Sequence, residues 1–167
     1  MNVNISESGL EFGPFDETHI FQIEKSPAAN ALGTGIKKVE FIVKRATKQG
    51  NAVWLIEAKS SIPRDATAFF GQIKTKMIHS LTLWLLALVK RHPGLHKDLP
   101  LAMRHAADAA IPCLLILVIP PMPSHALVGA SEKFRQVMGP DLRLWNIGAQ
   151  NVRVLNEEKA RFYGLVA

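Results

Sequence analysis

Cys113-Leu-Leu-Ile-Leu-Val-Ile119 is apolar at every position and is closed by proline on both sides, Pro112 before it and Pro120-Pro121 after it. Proline neither continues a helix nor donates to a strand ladder, so the run is a short element. Its Leu, Ile and Val content predicts a strand, and a strand apolar on both faces must be covered on both. The chain is therefore expected to build a sheet with helices above and below it. A second apolar run, Leu81 to Val89, is nine residues long, as is Ile111 to Ile119. A membrane-crossing helix needs roughly 20, so both read as core elements. With 167 residues, 48% of them hydrophobic and 20% charged, the chain has material for one α/β domain with a real core.

The order of elements follows from periodicity and punctuation. Asp16 is a candidate N-cap for a first helix over Asp16 to Ala31, with Ile20, Phe21 and Ile23 on one face and Pro27 ending or interrupting it. In Ile36 to Arg45, Val39, Phe41 and Val43 alternate with Lys38, Glu40 and Lys44, and the alternation resumes in Ala52 to Lys59. Between them Thr47-Lys48-Gln49-Gly50-Asn51 is turn chemistry, so the two runs form a hairpin. From Ala66 to Arg91, Phe69, Phe70, Ile73, Met77, Leu81, Trp84, Leu85 and Leu88 recur at three and four residues, the pattern of a long helix with a broad buried face. A basic turn, Lys90 to Gly94, precedes an Ala-rich helix over Leu101 to Ala110. After the central strand come a helix over Ser131 to Met138, short strands at Leu142 to Ile147 and Val152 to Leu155, and a last helix capped by Asn156.

Charge is distributed unevenly. The net charge is +6, and between Thr18 and Arg64 eight basic residues face three acids, Glu24, Glu40 and Glu57. Glu57 and Lys59 are two apart at the polar end of the strand Val53-Trp54-Leu55-Ile56, so they share one face. A carboxylate there can hold a hard cation, and the adjacent lysine can orient a water or stabilise charge on a phosphate. Glu40, in the preceding strand, is the second acid such a site needs, and Glu24 is a third candidate. Cations on the surface around a carboxylate pocket suit a polyanionic substrate. The six histidines lack metal-ligand spacing, and Cys113, the one cysteine, reads as core. The first 17 residues carry acids and no Lys or Arg, which with the lone cysteine predicts a cytoplasmic protein.

Val39-Glu40-Phe41-Ile42, a turn, Leu55-Ile56-Glu57-Ala58-Lys59-Ser60-Ser61, a long helix carrying Gln72 and then a buried strand resemble the PD-(D/E)XK nuclease superfamily, the restriction-endonuclease-like fold. The resemblance covers about residues 16 to 119 and leaves 120 to 167 as a C-terminal elaboration. It implies a restriction-endonuclease-like mixed sheet flanked by helices. It also implies Mg²⁺, with Mn²⁺ as an alternative, held by Glu40, Glu57 and the Ala58 carbonyl. Lys59 then assists the attacking water, with Gln72 near the scissile phosphate and Glu24 as the acid some members place on the first helix. Glu40 stands where the family usually has Asp, and no Pro-Asp pair precedes it.

The expected function is hydrolysis of DNA phosphodiester bonds. Its rival is a nuclease-fold protein that no longer cleaves and serves as a nucleic-acid-binding or partner-docking subunit. Lys37, Lys38, Lys44, Arg45, Lys48, Arg64, Lys90 and Arg91 are the expected backbone contacts. A homodimer or larger protein assembly is the expected state, with no membrane partner. Removing either Glu40 or Glu57 is expected to relieve like-charge repulsion and leave the metal-free protein at least as stable.

Overall fold

A computed structural model describes residues 1–167. Seven strands and five helices follow one another as β1 (Asn2–Glu7), β2 (Leu10–Asp16), β3 (Ile20–Phe21), α1 (Pro27–Asn30), β4 (Phe41–Thr47), β5 (Gly50–Ala58), α2 (Ala66–Leu88), α3 (Pro93–Asp98), β6 (Cys113–Val118), α4 (Leu127–Trp145), β7 (Val152–Leu155) and α5 (Glu157–Phe162). The main sheet has the order β3-β4-β5-β6-β7; β4 is antiparallel to β3 and β5, while β5, β6 and β7 run parallel. β1 and β2 form a separate hairpin.

The double-sided burial expected of residues 113–119 is met, with a different cover on each face. Leu115, Leu117 and Ile119 point into a core built with α2, α3 and α4, through Phe70, Ile73, Met77, Trp84, Leu95, Phe134 and Met138. On the other face Ile116 and Val118 pack with Phe12 and Phe15 of β2, Ala160 of α5 and the C-terminal Leu165 and Val166. One face is thus helical, and the other is closed by a hairpin and one short helix. The apolar stripe of α2 lies inside this core and not in solvent. No helix is long and apolar enough to cross a membrane.

Several boundaries differ from those expected, each for a physical reason. Asp16 does cap, accepting a hydrogen bond from Thr18 N, but only a 3-10 turn over Glu17–His19. Chain 16–31 then breaks into β3, a second 3-10 turn (Ile23–Lys25) and the four-residue α1, where Ser26 is the N-cap and Pro27 starts the helix. Ile20 and Phe21 are drawn into pairing with Val43 and Ile42, so sheet extension overrides the helical spacing. The turn expected over Lys90 to Gly94 is present through His92, with Pro93 and Gly94 opening α3, and the Ala-rich 101–110 forms two 3-10 turns in place of a helix. α4 continues through Pro140 because Phe134, Met138 and Leu142 keep one buried face across it, which replaces the strand expected at Leu142–Ile147. Residues 120–167 contribute β7 and α4, which complete the sheet and core and are not an appendage. The hairpin turn, the long helix and the Asn156 cap, which accepts from Lys159 N, are where the spacing put them.

Lys44 and Arg45 are committed inside the protein. Lys44 Nζ donates to both carboxylate oxygens of Asp108 at 2.9 and 2.7 Å and to Ala102 O at 3.0 Å, and both side chains of the pair are nearly buried. Arg45 lies 4.7 Å above the Trp54 ring and donates to Tyr163 O. Lys44 is spent on Asp108, and Arg45 is half-buried with one guanidinium nitrogen given to the backbone. Lys44→Ala is expected to cost about 2 kcal/mol in chemical denaturation, because Asp108 loses its counter-charge while largely cut off from water.

Candidate active site

The acids meet at the end of the sheet where β5 finishes. Glu57 follows Val53 and Leu55 on the helix-covered face, so its side chain enters beneath α2. Glu40 sits one residue before β4, its N–H bound to Ile56 O across the hairpin, which brings it beside Glu57. Two contacts from α2 fix that approach. The Ser80 hydroxyl accepts from Val39 N at 2.9 Å, and His79 Nδ1 accepts from Lys37 N at 3.0 Å. Lys59 Nζ is 2.7 Å from Glu57 Oε1 and 3.9 Å from Glu40 Oε1, in the same cleft. The convergence expected of Glu40, Glu57 and Lys59 is present.

Lys76 of α2 joins them, and it is the residue missing from the expected set. Its Nζ is 2.7 Å from the same Glu57 Oε1, 3.9 Å from Glu40 Oε1 and 3.8 Å from Glu24 Oε1. Lys74, by contrast, turns away to Asp141 at 3.2 Å. Phe69, Ile73, Ser80, Leu83 and Ala87 are buried residues of α2, and position 76 completes their four-three-four spacing. A lysine on a core-facing stripe is the signal that marks it. Glu24 lies on the Ile23–Lys25 turn, 3.8 Å from Lys76 and in contact with Glu40. Gln72 is exposed one helical turn before Lys76, on the same side of α2. The Ala58 carbonyl lies one step beyond the last backbone bond from Glu40 N to Ile56 O. Beside the acids opens a recess of about 350 Å³, walled by Asn4, Ser6 and Glu7 of the N-terminal hairpin and by Glu24, Lys25 and Glu40.

The side chains of Glu57, Glu40, Lys76 and Lys59 are 0%, 9%, 21% and 36% exposed, a gradient from core to solvent. Burial, then the charge of Glu57 and the contact with Glu24, push the Glu40 carboxyl up to about 8, with Lys76 opposing. Burial pulls the Lys59 ammonium down. The hydrogen bond and charge of Glu57 and the charge of Glu40 outweigh it and hold Lys59 above its ordinary value. Lys59 is therefore a charged hydrogen-bond donor, suited to orienting a water or an anionic oxygen. Glu57 Oε2 is buried and has no hydrogen-bond partner, although Oε1 has two ammonium groups. A buried carboxylate oxygen left so is an acceptor whose donor the fold itself does not supply, and carboxylate oxygens are the ligand type that hard divalent cations take.

Of the remaining basic residues, Lys37 and Arg64 are exposed and Lys38 is half-buried, and all lie in the segments that lead into Glu40 or out of Lys59. Lys48 is exposed at the hairpin turn, seven residues from Phe41 along β4, roughly 23 Å from the acids at about 3.3 Å per residue. Lys90 and Arg91 follow the far end of α2, fourteen and fifteen residues past Lys76, about 21 Å away at 1.5 Å per residue. Cys113 is tucked beside the core, and burial pushes its thiol up to about 11, which leaves it unreactive. In comparisons with known proteins, no family model, no curated protein and no solved structure matches the chain.

Proposed function

We propose that this protein is a metal-dependent nuclease of restriction-endonuclease-like fold that hydrolyses DNA phosphodiester bonds. The observation that carries the proposal is the meeting of Glu40, Glu57 and Lys59 at adjacent strand ends, with Lys59 2.7 Å from Glu57 and the buried Glu57 Oε2 without a hydrogen-bond partner. The acid-bearing hairpin, the long crossover helix and the parallel strand after it support the fold reading.

Glu40, Glu57 and the Ala58 carbonyl are the residues to hold Mg²⁺ or Mn²⁺. A divalent cation there supplies Lewis-acid stabilisation of the phosphate and a more acidic water. The protein's own groups do the rest. Lys59 donates to the water or to a non-bridging oxygen and fixes the line of attack on phosphorus. The water oxygen bonds to phosphorus and releases a proton to solvent, one P–O ester bond breaks, and the departing oxygen takes up a proton from solvent. Gln72, one helical turn before Lys76, donates to a phosphate oxygen. Lys37, Lys38 and Arg64 supply the backbone contacts, the set being reduced by the internal roles of Lys44 and Arg45 and the distance of Lys48, Lys90 and Arg91.

Three phosphate contacts fix a salt dependence. Affinity for duplex DNA is expected to fall about 40-fold between 50 and 200 mM salt and to depend weakly on sequence. Titration by fluorescence anisotropy checks this, and salt-independent binding contradicts it.

Lys76 favours a second reading. Its ammonium lies within 4 Å of all three acids, so charge compensation exists without any metal, as an inactive DNA-binding or docking subunit would need. Purified protein incubated with plasmid and single-stranded DNA, with Mg²⁺ or with chelator, separates the two. Chelator-sensitive cleavage supports the enzyme, and binding without cleavage supports the subunit.

A further inference from the structure

We propose that Lys76 is a built-in counter-cation that occupies the acid cluster in the metal-free protein and must withdraw when a divalent cation binds. The inference rests on the reading of the cluster as a cation site, and it adds a residue and a competition that this reading does not contain.

Three features point to it. Lys76 is the one ammonium that reaches Glu24, Glu40 and Glu57 together, at 3.8, 3.9 and 2.7 Å, so it stands where the fields of the three acids add. It comes from α2, whereas the acids come from the sheet and the Ile23–Lys25 turn, so it can leave along its own flexible stem without disturbing them. Glu57 supplies the third. Lys59 and Lys76 crowd on Oε1 while the buried Oε2 has no partner, so two monovalent cations leave one ligand atom of a fully buried carboxylate unused. Three carboxylates and two ammoniums carry one net negative charge when all are ionised. With Lys76 withdrawn the cluster carries two, which a divalent cation neutralises.

The test is calorimetric titration of the full-length, chelator-stripped protein with Mn²⁺ near pH 8, for wild type, K76Q, K76R and K74Q, with melting temperatures before and after Mn²⁺. K76Q is expected to bind Mn²⁺ about tenfold more tightly than wild type and to show the larger Mn²⁺-induced rise in melting temperature, although it melts lower without metal. K76R keeps the charge, and K74Q removes a lysine paired elsewhere on the same helix, so both are expected to match wild type. If K76Q does not fold without metal, Mn²⁺ is expected to restore its circular dichroism, and no rescue overturns the proposal. Equal or weaker Mn²⁺ binding by folded K76Q, with wild type binding normally, overturns the counter-cation role and leaves the nuclease reading intact. Absence of binding by both overturns the two together. Tighter binding by K76Q without DNA cleavage by wild type upholds the counter-cation and points to the non-cleaving subunit.

Discussion

Glu57→Gln is expected to abolish divalent-cation binding, to reduce DNA cleavage by at least about 10³-fold, and to lower the melting temperature of the metal-free protein. The first two effects follow because an amide lacks the charge that holds Mg²⁺. The third corrects the expectation that removing either acid leaves the protein at least as stable. Glu57 is fully buried and is the shared partner of Lys59 and Lys76, so neutralising it strands two ammoniums. Both lysines keep some contact with water, which holds the cost to about 2–3 kcal/mol, roughly 5–10 °C for a chain of this length.

Glu40 behaves oppositely. Its carboxyl titrates near 8 in the fold against an ordinary value of 4.5, so the folded protein holds a proton that the unfolded chain releases. Stability is therefore lost as pH rises from about 4.5 to 8. Glu40→Gln is expected to melt like wild type near pH 4.5 and to be more stable at pH 8. After discounting for residual solvent contact, the gain is about 1–2 kcal/mol. Melting curves of the two variants across this range check both signs, and equal shifts contradict the assignment of Glu57 as shared anchor.

Lys59→Ala is expected to lose cleavage by about 10³-fold, about 4 kcal/mol of transition-state stabilisation, while Mn²⁺ still binds. Lys59 contacts Glu57 and Glu40 from the solvent side and is itself no ligand, so its loss leaves the acids in place. The split matters more than the magnitude. Calorimetry on the variant should give an affinity within a few-fold of wild type or tighter, since one competing ammonium is gone. Joint loss of binding and cleavage would mean that Lys59 holds the site together and does not act on the substrate.

The site hairpin was legible because a two-residue period survives in Phe41 and Val43 and again in Val53 and Leu55, and because Glu57 and Lys59 fall in phase with the latter pair. α2 was legible for the matching reason at a period of 3.6. The N-terminal hairpin leaves a weaker signal, because only Val3 and Ile5 mark the alternation in β1 and both are half-buried. Gly13, with φ of +121°, faces Val3 O so closely that a Cβ would meet it at 2.8 Å, a constraint that only the paired strand reveals. Lys44 lay in phase with Glu40, and no local pattern could tell that Asp108, sixty-four residues on, would take it. Lys76 stands among other polar residues, and only its place on the buried stripe of α2 separates it from Lys74.

We propose Glu40, Glu57 and Lys59 as a metal-dependent hydrolytic centre for DNA. Its most direct test is a time course of supercoiled plasmid and single-stranded DNA with Mg²⁺, using wild type and Glu57→Gln purified identically. Cleavage of at least one substrate by wild type, arrested by chelator, is expected, with none by the variant. No cleavage by wild type, or equal cleavage by both proteins, would contradict it.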